Sequence, residues 1–114
     1  VMTRHDRRRF VEKLDFLTTP GYLSGPGARE AAGLPEGTGP YKVITDLAIM
    51  GYDPESKRMQ VESLHPGVDF EQAQENTGFT LLKTPHIGQT PPPDPEILRI
   101  LREEVDPRRL IIGR

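Results

Sequence analysis

Apolar residues alternate most regularly over residues 41–50, where Val43, Leu47 and Ile49 fall on one face of a strand. The other face is also largely apolar toward the end of this segment. Strands that are apolar on both faces are typical of the interior of a sheet. We therefore predict one continuous, central strand over residues 41–50.

A hairpin is predicted directly after this strand. Asp53 and Pro54 begin a stretch with the chemistry of a type I turn, because Asp suits the first position and Pro presets φ at the second. Residues 58–64 then have the pattern of a strand that returns antiparallel to the first. The pattern thus predicts two antiparallel strands joined at residues 53–56.

A short helix and a further strand are predicted next. Asp69 can cap the helix, Gln72 stands at the capping-box position, and Gly78 is placed to end the helix in the left-handed conformation. Together these signals predict about two helical turns. Residues 79–83 should form one more strand.

The C-terminal part is predicted to contain a connector and a last helix. The prolines at residues 91–93 favour an extended chain, and Asp94 followed by Pro95 is typical of a helix start. The apolar residues of this helix recur at helical spacing and form one stripe: Ile97, Leu98, Leu101 and Val105.

The first 40 residues have weaker patterns. Residues 1–3 open directly on β-compatible side chains, which predicts the end of a buried strand. Residues 10–17 have apolar residues at both helical and strand spacing, so the pattern alone leaves both interpretations open. The glycines and prolines of residues 20–40 predict a long irregular loop with a helical turn at 28–32.

Composition limits the size of the core and the kind of partner. Hydrophobic residues make up 34% of the chain, and 12 prolines and 11 glycines predict long loops that lean on a partner surface. A net charge of −2 argues against nucleic-acid binding. The absence of cysteine fits a reducing compartment, and no stretch approaches the ~20 apolar residues of a membrane span. We expect a cytoplasmic protein without nucleic-acid or membrane partners.

Three segments, in this order, resemble one enzyme family. They read ITDLAI at residues 44–49, SLHPGV at residues 63–68 and ENTGF at residues 75–79. Their order and spacing resemble the C-terminal portion of the β subunit of class I CoA-transferases, and the glutaconate-type branch is the most similar. The resemblance covers residues 1 to about 82, and it favours the strand interpretation of residues 10–17.

The resemblance implies an α/β fold. Residues 1–83 would form the C-terminal part of an open, largely parallel sheet with flanking short helices and an antiparallel hairpin. Residues 84–114 would form a Pro-rich connector and a C-terminal helix. The expected partners are the α subunit and the N-terminal part of the same β subunit.

The resemblance also implies a reaction. Such enzymes move CoA from an acyl-CoA to a free carboxylic acid through a glutamyl-CoA thioester on the β subunit. The glutamate lies upstream of the residues present here, so we expect no catalytic residue and no activity from this segment alone. Two alternatives stay open: relatives that hydrolyse a carbon–carbon bond in a cyclic CoA thioester, and a non-catalytic interaction module.

Four residues are candidates for contact with CoA or substrate. His5 follows the first predicted strand, where ligand crevices form in open sheets, although an isolated histidine more often caps the strand or bonds to a backbone carbonyl. Arg7 and Arg8 suit phosphate groups, although a run of cations is commonly just solvated. Tyr22 heads the glycine-rich loop and could line the cleft or attach the loop to the core.

No metal or permanently bound cofactor is expected, and coenzyme A enters as a substrate. The histidines at positions 5, 65 and 86 lack the spacing of metal ligands. Gly25-Pro26-Gly27 lacks the pattern of a phosphate loop. His65, Pro66 and Gly67 are interpreted as a structural turn in which Gly67 takes positive φ and His65 bonds to nearby backbone.

Overall fold

The computed structural model describes residues 1–111 and contains a four-stranded sheet with short helices around it. The strands are β1 (Val43–Ile44), β2 (Ala48–Tyr52), β3 (Met59–Leu64) and β4 (Leu82–Gln89), in the spatial order β1-β2-β3-β4. The helices are α1 (Ala28–Ala31), α2 (Phe70–Glu75) and α3 (Pro95–Ile100), and a π-helical segment, Leu101–Val105, follows α3. The predicted α/β open sheet with a hairpin and short helices is confirmed.

The strand pairings within this segment are mostly antiparallel. β1 pairs with β2, and β2 with β3, in the antiparallel sense, whereas β3 and β4 are parallel and α2 connects them. A single parallel bridge also joins Met2 to Ile44. The largely parallel sheet expected for the family is therefore not what these described strands form among themselves.

The prediction of one continuous strand over residues 41–50 is wrong, because the chain reverses at Thr45. The Thr45 hydroxyl oxygen accepts hydrogen bonds from the amides of Leu47 (3.2 Å) and Ala48 (3.0 Å). The Thr45 amide donates to the Ala48 carbonyl at 2.9 Å, which closes the turn. Thr side chains compete with sheet hydrogen bonding in this way. Of the two strands that form instead, β2 is interior to the sheet and β1 is a two-residue strand beside it.

The predicted hairpin between β2 and β3 is confirmed. One carboxylate oxygen of Asp53 accepts from the Ser56 amide at 2.7 Å and from the Ser56 hydroxyl at 2.6 Å. These bonds close the turn that Asp53 begins. The strand pairing then starts at the pair Tyr52 and Met59. The short-range chemistry of Asp and Pro was therefore sufficient to place this turn.

The predicted α2 helix is confirmed at its start but ends for a different reason. The Asp69 carboxylate accepts from the Gln72 amide at 2.8 Å, as expected for an N-cap. Gly78 was expected to end the helix with positive φ, and this is wrong, since Gly78 is not among the positive-φ glycines. Gly78 instead approaches the backbone of Phe10, where its amide donates to the Phe10 carbonyl at 2.7 Å.

The N-terminal segments differ from the prediction. Residues 10–17 contain no strand, and their apolar side chains are exposed except for Phe10, which is buried. Val1 and Met2 are 78% and 80% exposed, so the expected buried strand at residues 1–3 is not buried within this chain. The long loop with a helical turn is confirmed, and α1 lies inside it. Alternating apolar residues predict a strand only where a neighbouring segment is present to cover them.

The strand expected at residues 79–83 lies later in the chain, as β4. Its register against β3 shifts between the pairs Val61 with Lys83 and Ser63 with Gly88. Pro85 lies in the shifted part, where the missing amide of proline is tolerated. The predicted division of the chain at residues 83 and 84 stays a prediction.

The last predicted helix begins as expected. Asp94 accepts from the Glu96 amide at 2.7 Å, and Pro95 occupies the first turn. Its apolar stripe is largely uncovered, because Ile97 is 63% exposed and Val105 is 69% exposed. The stripe therefore packs little against the rest of the chain.

The core is small and lies around the sheet and α2. It consists of Phe10, Val43, Ala48, Met50, Val61, Ala73 and Leu81. The radius of gyration is 16.5 Å, against about 13 Å for a compact chain of this length. The chain is thus more extended than a self-contained domain of the same size. No helix in residues 1–111 has the length and apolar character that crossing a bilayer requires.

Candidate functional site

A tight turn after residue 5 positions the first group of candidate residues. The Asp6 carboxylate accepts from the amides of Arg8 and Arg9, each at 3.1 Å, and it forms an ion pair with the Arg9 side chain. The Asp6 carbonyl accepts from the Phe10 amide at 3.0 Å. This turn leaves Arg7 and Arg8 exposed.

His5 lies at the inner side of this turn and is only 5% exposed. Its Nδ1 is 3.1 Å from the Thr45 hydroxyl, and its Nε2 is 2.8 Å from the Thr77 hydroxyl. The Thr77 hydroxyl donates its proton to the Ala73 carbonyl, so Nε2 of His5 is the donor toward Thr77. In a neutral ring with its proton on Nε2, Nδ1 accepts from the Thr45 hydroxyl, whose other acceptor is the Ala48 carbonyl at 3.0 Å.

The electrostatics of His5 agree with a neutral ring. Burial lowers the pKa of His5 below its ordinary value, and the carboxylates of Asp46 and Asp6 oppose this shift only in part. The ring also stacks on Phe10 with a centroid distance of 4.4 Å. His5 therefore connects residues 1–10 to the β1–β2 turn and to the end of α2.

Arg7 and Arg8 face different hollows. Arg7 lines one with Glu12, Gln74 and residues 77–80. Arg8 lines another with Arg4, Asp6 and Arg9. Among the described residues neither Arg7 nor Arg8 forms an ion pair, so both side chains are available to an anionic ligand or partner.

Tyr22 lies elsewhere, in the glycine-rich loop. Its hydroxyl donates to the Pro40 carbonyl at 2.9 Å, which joins the two ends of the loop. Its ring contacts Tyr52 edge to face at 4.9 Å, and Lys57 Nζ lies 5.7 Å from its centroid. Tyr22 thus attaches the loop to β2, and it also forms a wall of a cleft of about 500 Å³.

The four candidate residues are therefore not assembled into one site within this chain. The cleft beside Tyr22 and the hollow beside Arg7 have no lining residue in common. His5 lies close to Arg7 and Arg8 in the chain but points inward. No group of three or more potential metal-binding side chains occurs in residues 1–111.

Two further residues are functionally informative. Arg29 is buried beside Tyr22, and sequence reasoning missed it, because a single arginine in a Gly/Pro-rich loop carries no signal of burial. His65 was interpreted correctly, since its Nε2 bonds to the Thr45 carbonyl at 2.8 Å and Gly67 has φ of 82°. The turn after β3 is therefore tied to the turn after β1.

The fold and the family comparison together define the class of protein. The family described as Coenzyme A transferase matches residues 1–76, so the chain belongs to that family. It is 40% identical over 112 residues to the β subunit of glutaconate CoA-transferase from Acidaminococcus fermentans, covering 98% of this chain and 42% of that protein. The crystal structure of glutaconate coenzyme A-transferase from that organism superposes with a TM-score of 0.90, over 99% of this chain and 43% of that one.

Two more relatives show the range of named activities. The chain is 40% identical over 102 residues to the β subunit of 3-oxoadipate CoA-transferase from Pseudomonas knackmussii, covering 90% of this chain and 39% of that protein. It is 29% identical to the cholesterol ring-cleaving hydrolase IpdB subunit of Rhodococcus jostii, covering 94% of this chain and 41% of that protein. The chain thus spans about two fifths of the length of these relatives.

Proposed function

We propose that the chain is the C-terminal segment of a CoA-transferase β subunit that moves CoA between carboxylic acids. The observation that carries this proposal is the 40% identity, over nearly the whole chain, to a subunit named as a CoA-transferase. In the proposed reaction a glutamyl-CoA thioester forms on a glutamate outside this segment. A carboxylate nucleophile of this kind divides one acyl transfer into two easier steps.

The proposed partners are an α subunit and the N-terminal part of the same β subunit. The extended shape and the exposed apolar side chains support this proposal, because uncovered apolar surface of this extent is typical of interaction sites. The exposed apolar residues include Val11, Leu14, Phe16, Leu17 and Leu23. The working compartment in this proposal is the cytoplasm.

Arg7 and Arg8 are the residues proposed to contact the phosphates of CoA. Both are exposed, both lack an ion-pair partner among the described residues, and a guanidinium can donate two parallel bonds to one phosphate. His5 is proposed to stabilise this turn through its buried contacts with Thr45 and Thr77, and not to contact the ligand. Tyr22 forms a separate wall that could face the substrate once the other polypeptides are present.

A CoA-exchange assay tests the proposal. The complete β subunit is purified with its α subunit and incubated with an acyl-CoA, with and without a free carboxylic acid acceptor. New acyl-CoA that appears only with the acceptor supports CoA transfer. Loss of acyl-CoA at the same rate without the acceptor contradicts it.

A hydrolase is the second candidate function, since the Rhodococcus relative is named as a ring-cleaving hydrolase. Such an enzyme would hydrolyse a carbon–carbon bond in a cyclic CoA thioester, and it would need no carboxylate acceptor. The identity to this relative is 29%, against 40% for the two transferases, which favours CoA transfer. The same assay with a cyclic acyl-CoA distinguishes the two reactions.

The phosphate contact is tested separately with the double variant Arg7→Ala, Arg8→Ala in the assembled enzyme. We expect CoA affinity to fall by about tenfold or more, because two charge-assisted contacts are lost. The matched control is Arg102→Ala, Arg108→Ala, which removes two other exposed arginines. Equal affinity in both double variants would discard the contact.

A further inference from the structure

The cleft beside Tyr22 is built by the glycine-rich loop. The α1 side contributes Arg29 and Glu30, the returning arm of the loop contributes residues 36–41, and Lys57 closes the end near β3. Its volume of about 500 Å³ lies within the roughly 300–1,000 Å³ range of small-molecule sites. The cleft can therefore hold a small ligand without rearrangement of the sheet.

Arg29 has an unusual environment in this cleft. It is 9% exposed, and its two terminal nitrogens donate to the Gly21 carbonyl at 2.6 Å and the Thr38 hydroxyl at 2.7 Å. Its Nε is buried and has no acceptor among the described residues. A guanidinium has five N–H donors, so several remain for a ligand.

The charge of Arg29 is also uncompensated within residues 1–111. Both of its acceptors are neutral oxygens, and no carboxylate in this part of the chain lies within ion-pair distance. A buried charge without a partner is costly, and this cost favours any anion that can reach it. Glu30 and Glu36 also line the cleft but do not pair with Arg29.

Lys57 provides a second positive charge. It lines the same cleft, and the contact of its ammonium group with the Tyr22 ring leaves its hydrogen-bond donors available. Arg29 and Lys57 both line the cleft, and guanidinium and ammonium groups are the side chains that bind oxyanions most readily. The two glutamates disfavour ligands with high negative charge.

We propose that this cleft binds an oxyanion of a small molecule, a carboxylate or a phosphate, with Arg29 as the buried donor and Lys57 as the second cation. The proposal does not depend on the CoA-transfer reaction, because binding can be measured without catalysis. A failure here would leave the transferase proposal intact, and a failure of the exchange assay would leave this site intact.

The test is a titration of the complete β subunit assembled with its α subunit, followed by amide NMR, with inorganic phosphate in one arm and glutarate in the other, at low chloride. We expect saturable shifts confined to the loop, including residues 36–41. If only one of the two ligands saturates the site, that result shows whether the bound oxyanion is a phosphate or a carboxylate. Absence of saturable shifts with both ligands overturns the proposal.

Charge variants make the test specific. Lys57→Asn should weaken binding by about fivefold, since one cation is lost while asparagine tolerates the positive φ at this position. Glu36→Gln should tighten binding by about twofold, because it removes an opposing charge. The matched controls, Lys13→Asn and Glu75→Gln, alter exposed charges outside the cleft and should leave the affinity unchanged.

Arg29 itself is tested by Arg29→Lys, which keeps the charge and removes the planar fork. We expect binding to fall by about tenfold or more. This variant will not fold if the loop depends on the contacts to Gly21 and Thr38. In that case the Lys57 and Glu36 variants still test whether the anion binds in this cleft. Equal affinities for Lys57→Asn and Lys13→Asn would show that the bound anion is elsewhere.

Discussion

His5 Nε2 lies 2.8 Å from the Thr77 hydroxyl, a contact that connects the N-terminal turn to the end of α2 across 72 positions of sequence. The Nδ1 of the same ring reaches the Thr45 hydroxyl at 3.1 Å. One buried imidazole therefore joins three segments, in addition to the backbone bonds of Ile44 with residues 1–3 and of Gly78 with Phe10. The turn that contains the exposed Arg7 and Arg8 begins directly after this ring.

The first prediction concerns the stability that His5 provides. His5→Ala should lower the free energy of unfolding by about 2–3 kcal/mol, because a stacked, buried ring and its hydrogen bonds are lost. The measurement is urea unfolding followed by circular dichroism. His86→Ala is the control, since His86 is exposed, and it should change stability little. Similar losses in both variants would contradict the structural role of His5.

The second prediction is a pH dependence of stability. Because burial lowers the pKa of His5 in the folded state, the unfolded chain binds a proton more readily than the folded chain. The contribution of the neutral ring should therefore be complete above the ordinary value of 6.5 and should be lost as the pH falls through the lower folded pKa.

Unfolding measured at several pH values from about 8 down to about 5 checks this second prediction, with His5→Gln as the comparison. The variant should lose the part of the pH dependence below about 6.5 that belongs to the ring. NMR titration of His5 should give a midpoint below the ordinary value of 6.5. A midpoint for His5 above 6.5 would show that the carboxylates of Asp46 and Asp6 outweigh burial.

The third prediction concerns the close approach of Gly78 to Phe10. A Cβ added at Gly78 would lie 2.6 Å from the Phe10 carbonyl oxygen and 3.3 Å from the Cα of Val11. Both are backbone atoms, so Gly78→Ala should cost about 1–3 kcal/mol through displacement of the N-terminal segment. Gly88→Ala is the control, because its nearest contacts are 3.6 Å and 3.7 Å. Thermal unfolding of both variants compares them directly.

The fourth prediction concerns the hydrogen bond by which Tyr22 holds the glycine-rich loop. Tyr22→Phe removes the hydrogen bond to the Pro40 carbonyl and should cost about 1 kcal/mol of stability. Tyr41→Phe is the control, since Tyr41 lines the same cleft with an 81% exposed side chain. The measurement is urea unfolding of both variants. If the two are equally stable, Tyr22 does not hold the loop.

Much of the local structure was predictable because the relevant contacts lie within a few residues. Asp69 caps α2 and Asp94 caps α3 through amides two or three positions away, and Asp53 closes its turn through Ser56. The family motifs are similarly local stretches of sequence. They were sufficient to identify the family and the open sheet, and the comparisons confirm both.

The candidate site was less predictable. Arg7 and Arg8 are exposed as a charged run should be, but the inward direction of His5 depends on Thr45 and Thr77, which are distant in sequence. Arg29 carries no signal of burial, because the loop that encloses it has no regular period. Whether an arginine in such a loop is solvated or buried depends on which loop atoms surround it.

Local sequence was enough to specify the hairpin turn, the helix starts and the membership in the family, because hydrogen bonds between near neighbours and residue preferences act over a few positions. Folding in three dimensions was needed to determine where residues 41–50 reverse, why residue 78 must be glycine, and which cations are buried. Those outcomes depend on segments that meet only after folding, such as Phe10 against Gly78. Whether these residues are buried depends on the segments that pack around them, so their local sequence did not specify it.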